Sequence, residues 1–190
     1  MKITDIIKSK EAVLSFEVFP PKTDDKFESV SRAIDEIAAL RPDFMSVTYG
    51  AGGGTSAYTV AISRHIKALG VNSVAHLSCI SSTKADVREK LGQLKEAGIE
   101  NILALRGDIP ENFAGNLEYG YANELVADIK KFGGFCIGGA CYPEGHPESR
   151  TIYSDIENLR RKVDAGCDYL TTQMFFDNDL FYSFLAKAYS

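Results

Sequence analysis

Metal-binding cysteine patterns are missing. Cys79, Cys136, Cys141 and Cys167 form no C-x-x-C pair, and the three histidines complete no zinc motif. The chain therefore reads as a reduced, cytoplasmic protein without a structural metal. No apolar run approaches the roughly 20 residues a membrane span requires. The N-terminus, Met1-Lys2-Ile3-Thr4-Asp5-Ile6-Ile7-Lys8, lacks the uninterrupted apolar core of a signal peptide. Basic clusters are absent too. With a net charge of −5, nucleic acid and anionic membrane are poor candidate partners, which leaves small molecules. What is present is enough for one well-buried core, since 45% of the 190 residues are apolar.

Strand-like and helix-like segments alternate along the whole length. Strands are expected near 12–19, 43–48, 72–77, 100–106, 135–141 and 168–174. Helices are expected near 25–40, 56–69, 83–97, 122–132 and 150–165, with another starting near 178. In the first of these helices Phe27, Val30, Ile34, Ile37 and Leu40 share one stripe, and Asp24 is placed to cap it. Gly70, Gly98 and Gly166 follow helices, as left-handed C-terminal caps do. No linker or composition break divides the chain, so residues 1–190 are expected to form one domain.

Regular βα alternation permits an open doubly wound sheet or a (β/α)8 barrel. For the open sheet, the only phosphate-loop candidate is a loose G-x-G-x-x-A at Gly52, Gly54 and Ala57. It lacks a Walker lysine, and the third strand does not end in a ribose-binding acid. A tight turn or a mobile active-site loop accounts for those glycines as well. The barrel reading is preferred, but a complete barrel takes about 250 residues and eight strands. The expectation is an α/β (β/α)8 TIM barrel represented by six of its eight βα units. Two open sheet edges would favour self-association or completion by a further segment.

The tips of the expected strands carry the chemistry. In Ser15-Phe16-Glu17-Val18-Phe19-Pro20-Pro21, alternation puts Leu14, Phe16 and Val18 on one face and turns Glu17 inward. A carboxylate buried there costs several kcal/mol, on the order of one ion's desolvation, unless it is paired or protonated. Taken alone, Glu17 reads as a salt-bridged structural residue. The other tips are Thr48-Tyr49, His76, Arg106-Gly107-Asp108, Cys141-Tyr142 with His146 beyond, and Thr171-Thr172-Gln173. Six polar tips on the rim where barrel active sites sit favour a functional reading.

The same residues carry a resemblance. Ser15 to Pro21, Val47-Thr48-Tyr49-Gly50-Ala51, His76-Leu77, Leu103 to Asp108, Tyr142-Pro143-Glu144-Gly145-His146-Pro147, Arg161 to Gly166 and Thr172 to Asp177 resemble the 5,10-methylenetetrahydrofolate reductase family in order and spacing. The resemblance implies an FAD-containing TIM barrel that reduces the methylene bridge of methylenetetrahydrofolate with NADH or NADPH. It places the chain in one-carbon metabolism, feeding methionine synthesis or a one-carbon route run in reverse. It also implies that Glu17 is the general acid, that Asp108 lies near flavin and pterin, and that Gln173 meets whichever ligand occupies the flavin face. The shared seat fits ping-pong kinetics. The implied FAD residues are Thr48, His76, Arg106, Gly107, Asp108, Tyr121, Ala122, Tyr142, His146, Asp155, Asn158, Arg161 and Lys162.

Part of this set is checkable on a helical wheel. Asp155, Asn158 and Lys162 share a strip with Arg161 beside it, opposite a stripe of Ile152, Ile156, Leu159 and Val163. On an arbitrary helix that strip would be a solvated face; here its two cations could serve a diphosphate. The competing readings are a non-catalytic or partner-dependent flavin-binding barrel fragment, and a phosphate-binding aldolase-type barrel. The second lacks a strand-borne lysine.

Overall fold

The computed structural model describes residues 1–49, 56–108 and 117–189; the glycine loop at 50–55 lies outside them. Six strands form one sheet in chain order: β1 (Ser15–Val18), β2 (Phe44–Val47), β3 (Asn72–Ser78), β4 (Asn101–Leu105), β5 (Cys136–Cys141) and β6 (Tyr169–Thr172). Every neighbouring pair is parallel. The described helices are α1 (Ile3–Ser9), α2 (Phe27–Ala39), α3 (Ser56–Ala68), α4 (Lys84–Glu96), α5 (Ala122–Phe132), α6 (Ile152–Asp164) and α7 (Asn178–Ala188). The result is a parallel α/β fold whose six strands curl as part of a barrel, with β1 and β6 as its edges. All six expected strands are present; β3 runs one residue past its expected end, to Ser78, and the other five are shorter, because a ladder extends only where both neighbours stay in register.

Alternation divides the side chains. Facing the helices, Val18, Met45 and Val47 pack with Ile34 of α2 and with Ile62 and Ile66 of α3. Ala75, Leu77, Ile102, Ala104 and Ile137 pack against Val87, Leu91 and Leu94 of α4 and Leu125, Val126 and Ile129 of α5. The stripe expected on α2 holds except at its end, where Leu40 is exposed. Asp24 does not cap α2. It opens a 3-10 turn (Asp24–Lys26), and its carboxylate accepts a hydrogen bond from the Tyr58 hydroxyl on α3. Helix starts elsewhere are fixed by side chains: Thr83 and Asp86 form a capping box on α4, and Thr151 and Ser154 form one on α6. Gly70, Gly98 and Gly166 take the expected positive φ (81°, 70° and 115°).

The other face of the sheet lines the inside of the curl. At its N-terminal end Val74, Leu103 and Cys136 pack with Ile3 and Ile6 of α1, an element the sequence reading did not include. A seven-residue helix is too short to be stable alone. Burying two isoleucines contributes roughly 1.5–3 kcal/mol each, which offsets its ordering. Asn101 holds it in place: the Ile3 N–H donates to Asn101 Oδ1 (2.9 Å), while Asn101 Nδ2 donates to the carbonyls of Met1 (3.1 Å) and Ser73 (3.3 Å). Asn101 is itself buried. Asn101→Leu would strand these buried partners, so a loss of about 2–4 kcal/mol is expected in urea denaturation. A change within about 0.5 kcal/mol would mean that the anchor contributes nothing.

Candidate active site

At the C-terminal ends of the strands the curl opens into a cleft of about 790 Å³, within the roughly 300–1,000 Å³ typical of small-molecule sites. Its lining includes Glu17, His76, Arg106, Gly107, Asp108, Tyr121, Ala122, Tyr142, His146, Asp155, Asn158, Arg161, Lys162 and Gln173. Thr48 is the exception among the residues named from sequence. Its N–H donates to the Val18 carbonyl and its carbonyl accepts from Thr59, so its backbone ties β1 and β2 to α3. A second cavity, about 200 Å³, lies at the opposite end beside Lys67, Gly98 and Glu100, with none of the strand-tip residues.

Glu17 faces the cleft from edge strand β1, but it is not buried as expected: its side chain remains 48% exposed. An edge strand of four residues has a neighbour on one side only. Partial burial raises the Glu17 pKa, and a hydrogen bond with Ser46, its register partner on β2, opposes the rise. His76 lies behind it, 6% exposed, with Nε2 at 3.8 Å from Glu17 Oε2. That distance is within ion-pair range, yet desolvation pushes the imidazole pKa down to about 4 and keeps the ring neutral near pH 7. Nε2 has no hydrogen-bond partner among the described residues. A buried polar nitrogen lining a cleft is suited to meeting a ligand.

The β4 tip is built by close approach. Ser78 Oγ and the Ile80 N–H donate to the Arg106 carbonyl (2.9 and 2.8 Å). Gly107 follows at φ 84°, and a Cβ there would run into the Ser78 side chain, so glycine is required on two counts. Asp108 lies exposed just beyond, on the cleft wall. Opposite, the Gln173 N–H donates to the Cys141 carbonyl (2.7 Å), which fixes the β6 tip against β5.

The β5–α6 loop forms the third wall. Tyr142 and His146 meet edge to face, with centroids 4.6 Å apart. Asp155 accepts from the His146 N–H (3.0 Å) and from Ser149 Oγ (3.1 Å), so this carboxylate holds the loop. The capping box at Thr151 sets the phase of α6. Lys162 is consequently turned toward the sheet, where its Nζ donates to the Ala140 carbonyl (2.5 Å) and burial lowers its pKa. Arg161 stays exposed on the same turn. The opposing stripe is only partly core: Leu159 is buried, whereas Val163 is 44% exposed. Tyr121 and Ala122, at the start of α5, complete the rim; Tyr121 is largely exposed. The lining also contains Glu148, Ser149, Arg150 and Asn123, which were not named from sequence. Glu148 is two residues past His146, and adjacency to that motif was the available signal.

His76 gives a measurable pH signature. Its folded-state pKa lies below the unfolded value of 6.5, so on acidification the unfolded chain takes up the proton first. Its contribution is intact above about pH 6.5 and declines toward pH 4, by about 3 kcal/mol. In urea denaturation across that range, His76→Gln should show a shallower loss than the parent. Identical slopes would place the imidazole in contact with water.

A family model for methylenetetrahydrofolate reductase matches residues 2–189. The chain is 41% identical over 172 residues to a 5,10-methylenetetrahydrofolate reductase of Pectobacterium carotovorum subsp. carotovorum, covering 90% of this chain and 57% of that one. It is 40% identical over 178 residues to the Escherichia coli (strain K12) 5,10-methylenetetrahydrofolate reductase, covering 93% and 60%. The chain thus spans about three fifths of the length of these relatives. Among solved structures, a Clostridium thermocellum protein described as binding two copies of 5-methyl-5,6,7,8-tetrahydrofolic acid superposes with a TM-score of 0.69. Their sequences are 19% identical, over 98% of this chain and 62% of that one, so this likeness speaks to fold. With residues 2–189 matched by that model and relatives about 40% identical over most of its length, the chain belongs to the methylenetetrahydrofolate reductase family.

Proposed function

We propose that the protein is an NAD(P)H-dependent flavoprotein of the cytoplasm that reduces 5,10-methylenetetrahydrofolate to 5-methyltetrahydrofolate, with Glu17 as general acid. The observation that carries this reading is the convergence of Glu17, His76, Asp108 and Gln173, from four separate strand tips, on one cleft. The cleft's chemistry fits FAD in two respects: a buried imidazole nitrogen with no partner among the described residues, and two adjacent cations on α6. Bound FAD would supply the hydride chemistry, accepting from NADH or NADPH and donating to folate in turn. Arg161 and Lys162 would face its diphosphate, and His76 Nε2 would gain a hydrogen-bond partner.

The remaining work falls to this chain's own groups. The folate's imidazolidine ring must open before its methylene carbon can accept hydride, and protonation of N10 makes that nitrogen a leaving group. Partial burial raises the Glu17 pKa, which favours the protonated form that would donate to N10. The neutral imidazole beside it adds no positive charge that would favour ionisation. Asp108 would disfavour extra negative charge nearby and support the cationic folate formed on ring opening. Gln173, fixed through its own N–H, would orient either ligand.

Glu17→Gln separates these roles. The variant should still be reduced by NADH while folate-dependent reoxidation falls at least 10³-fold, on the order expected for losing a general acid. Stopped-flow absorbance of the flavin reads both half-reactions. Loss of both would make Glu17 structural, and a colourless parent unable to take up FAD would remove the flavoprotein reading. Flavin uptake without folate-dependent reoxidation in the parent would favour a partner-dependent flavin-binding fragment. The 48% exposure of Glu17 is what gives that second reading weight.

A further inference from the structure

The cations lining the cleft are not equivalent. Arg106 is 20% exposed, and its Nη1 and Nη2 donate to the two carboxylate oxygens of Glu148 at 2.5 and 2.6 Å. Its Nε donates to the Gly107 carbonyl at 3.2 Å. A guanidinium has five N–H groups in a rigid plane. Three are used here; the remaining two have no partner among the described residues and are held in fixed directions. The carboxylate also cancels the charge; the pairing keeps the Glu148 pKa low, so it remains ionised around neutrality. Arg161 and Lys162 differ. Arg161 has only a 3.7 Å pair with Glu157 one turn away, and Lys162 donates to a carbonyl, which leaves its charge uncancelled.

Glu148 does not reach Arg106 by chance of a long side chain. Its own N–H donates to His146 Nδ1 (3.1 Å), and the Ser149 N–H donates to the His146 carbonyl (2.9 Å). Asp155 anchors both His146 and Ser149 from α6. On the other side of the pair, the Arg106 backbone is fixed by Ser78 and Ile80. Both ends of the pair are therefore built, and together they join the β4 tip to the β5–α6 loop across the cleft wall. Bidentate geometry on a mostly buried arginine distinguishes this pair from a loose surface contact.

We propose that Glu148 is a positioning residue for the flavin dinucleotide. It fixes the two free N–H groups of Arg106 and neutralises the guanidinium, so that Arg106 serves uncharged oxygen acceptors of the ligand, hydroxyl or carbonyl. The diphosphate is left to Arg161 and Lys162. This assignment rests on the FAD reading above. A carboxylate that merely holds the arginine until a phosphate displaces it predicts the opposite behaviour.

The test is the dissociation constant for FAD, followed by flavin fluorescence at low and high salt. Glu148→Gln is expected to bind FAD about 10-fold more weakly than the parent, the order of a misdirected hydrogen bond from a charged group. The salt dependence should steepen modestly, because the substitution leaves the Arg106 charge uncancelled in the same cleft as the diphosphate. Glu148→Asp should recover most of the loss, and Lys162→Met should flatten the salt dependence. Binding by Glu148→Gln that is equal to or tighter than the parent would overturn the proposal in favour of a displaced placeholder. Equal losses in Glu148→Gln and Glu148→Asp would reduce the residue to a loop fastener. A parent that binds no FAD at any salt would overturn the FAD reading itself, and the inference with it.

Discussion

The site depends on the two-residue period of a parallel sheet held in register. Glu17 pairs with Ser46, and His76 stands beside Leu103, which stands beside Gly138 and then Tyr169. A slip of one residue in any strand would exchange its inner and outer sets, sending Glu17 or His76 into the helical layer. The apolar outer set prevents this. Val18, Met45, Val47, Leu77 and Ile102 are all buried against helices, and exposing them would cost far more than any polar contact at the tips returns. Hydrophobic packing on the outside of the curl thus sets where the polar groups on its inside stand.

Upon that frame, each wall of the cleft is locked by backbone hydrogen bonding close to the polar strand tips. The β4 tip is held through the Arg106 carbonyl, the β6 tip through the Gln173 N–H and the β5–α6 loop through Asp155. Preorganisation of this kind spares a ligand the cost of ordering its own site. It also explains why a carboxylate such as Asp155 can belong to the binding region while its oxygens are occupied by neighbouring N–H and O–H groups.

Much of this was legible in the sequence, and the reasons are specific. The alternation of Ser15, Phe16, Glu17 and Val18 was enough to orient Glu17, because β1 is paired and its apolar residues have a helix layer to enter. The α6 wheel correctly put Lys162 on the cleft side, since a helix capped at Thr151 has its phase fixed. The degree of burial was not legible. Glu17 proved half open because exposure depends on neighbours across the mouth rather than on its own strand. Helix α1 was missed because its pattern is too short to count as periodic and forms only against Val74 and Leu103. Glu148 was missed because its partner is 42 residues away in sequence, a distance no local pattern bridges. Thr48 was placed at a tip correctly, yet it does not line the cleft.

The plug formed by α1 has a consequence for proton traffic. Ile3, Ile6, Val74 and Leu103 make an oily floor beneath the strand-tip rim, and Asn101 below them is engaged in anchoring backbone. Such a floor offers no chain of hydroxyls from beneath. Under the proposed chemistry, the Glu17 carboxyl above it would instead draw its hydrogen ion from solvent at the open edge of the curl, where its side chain is 48% exposed.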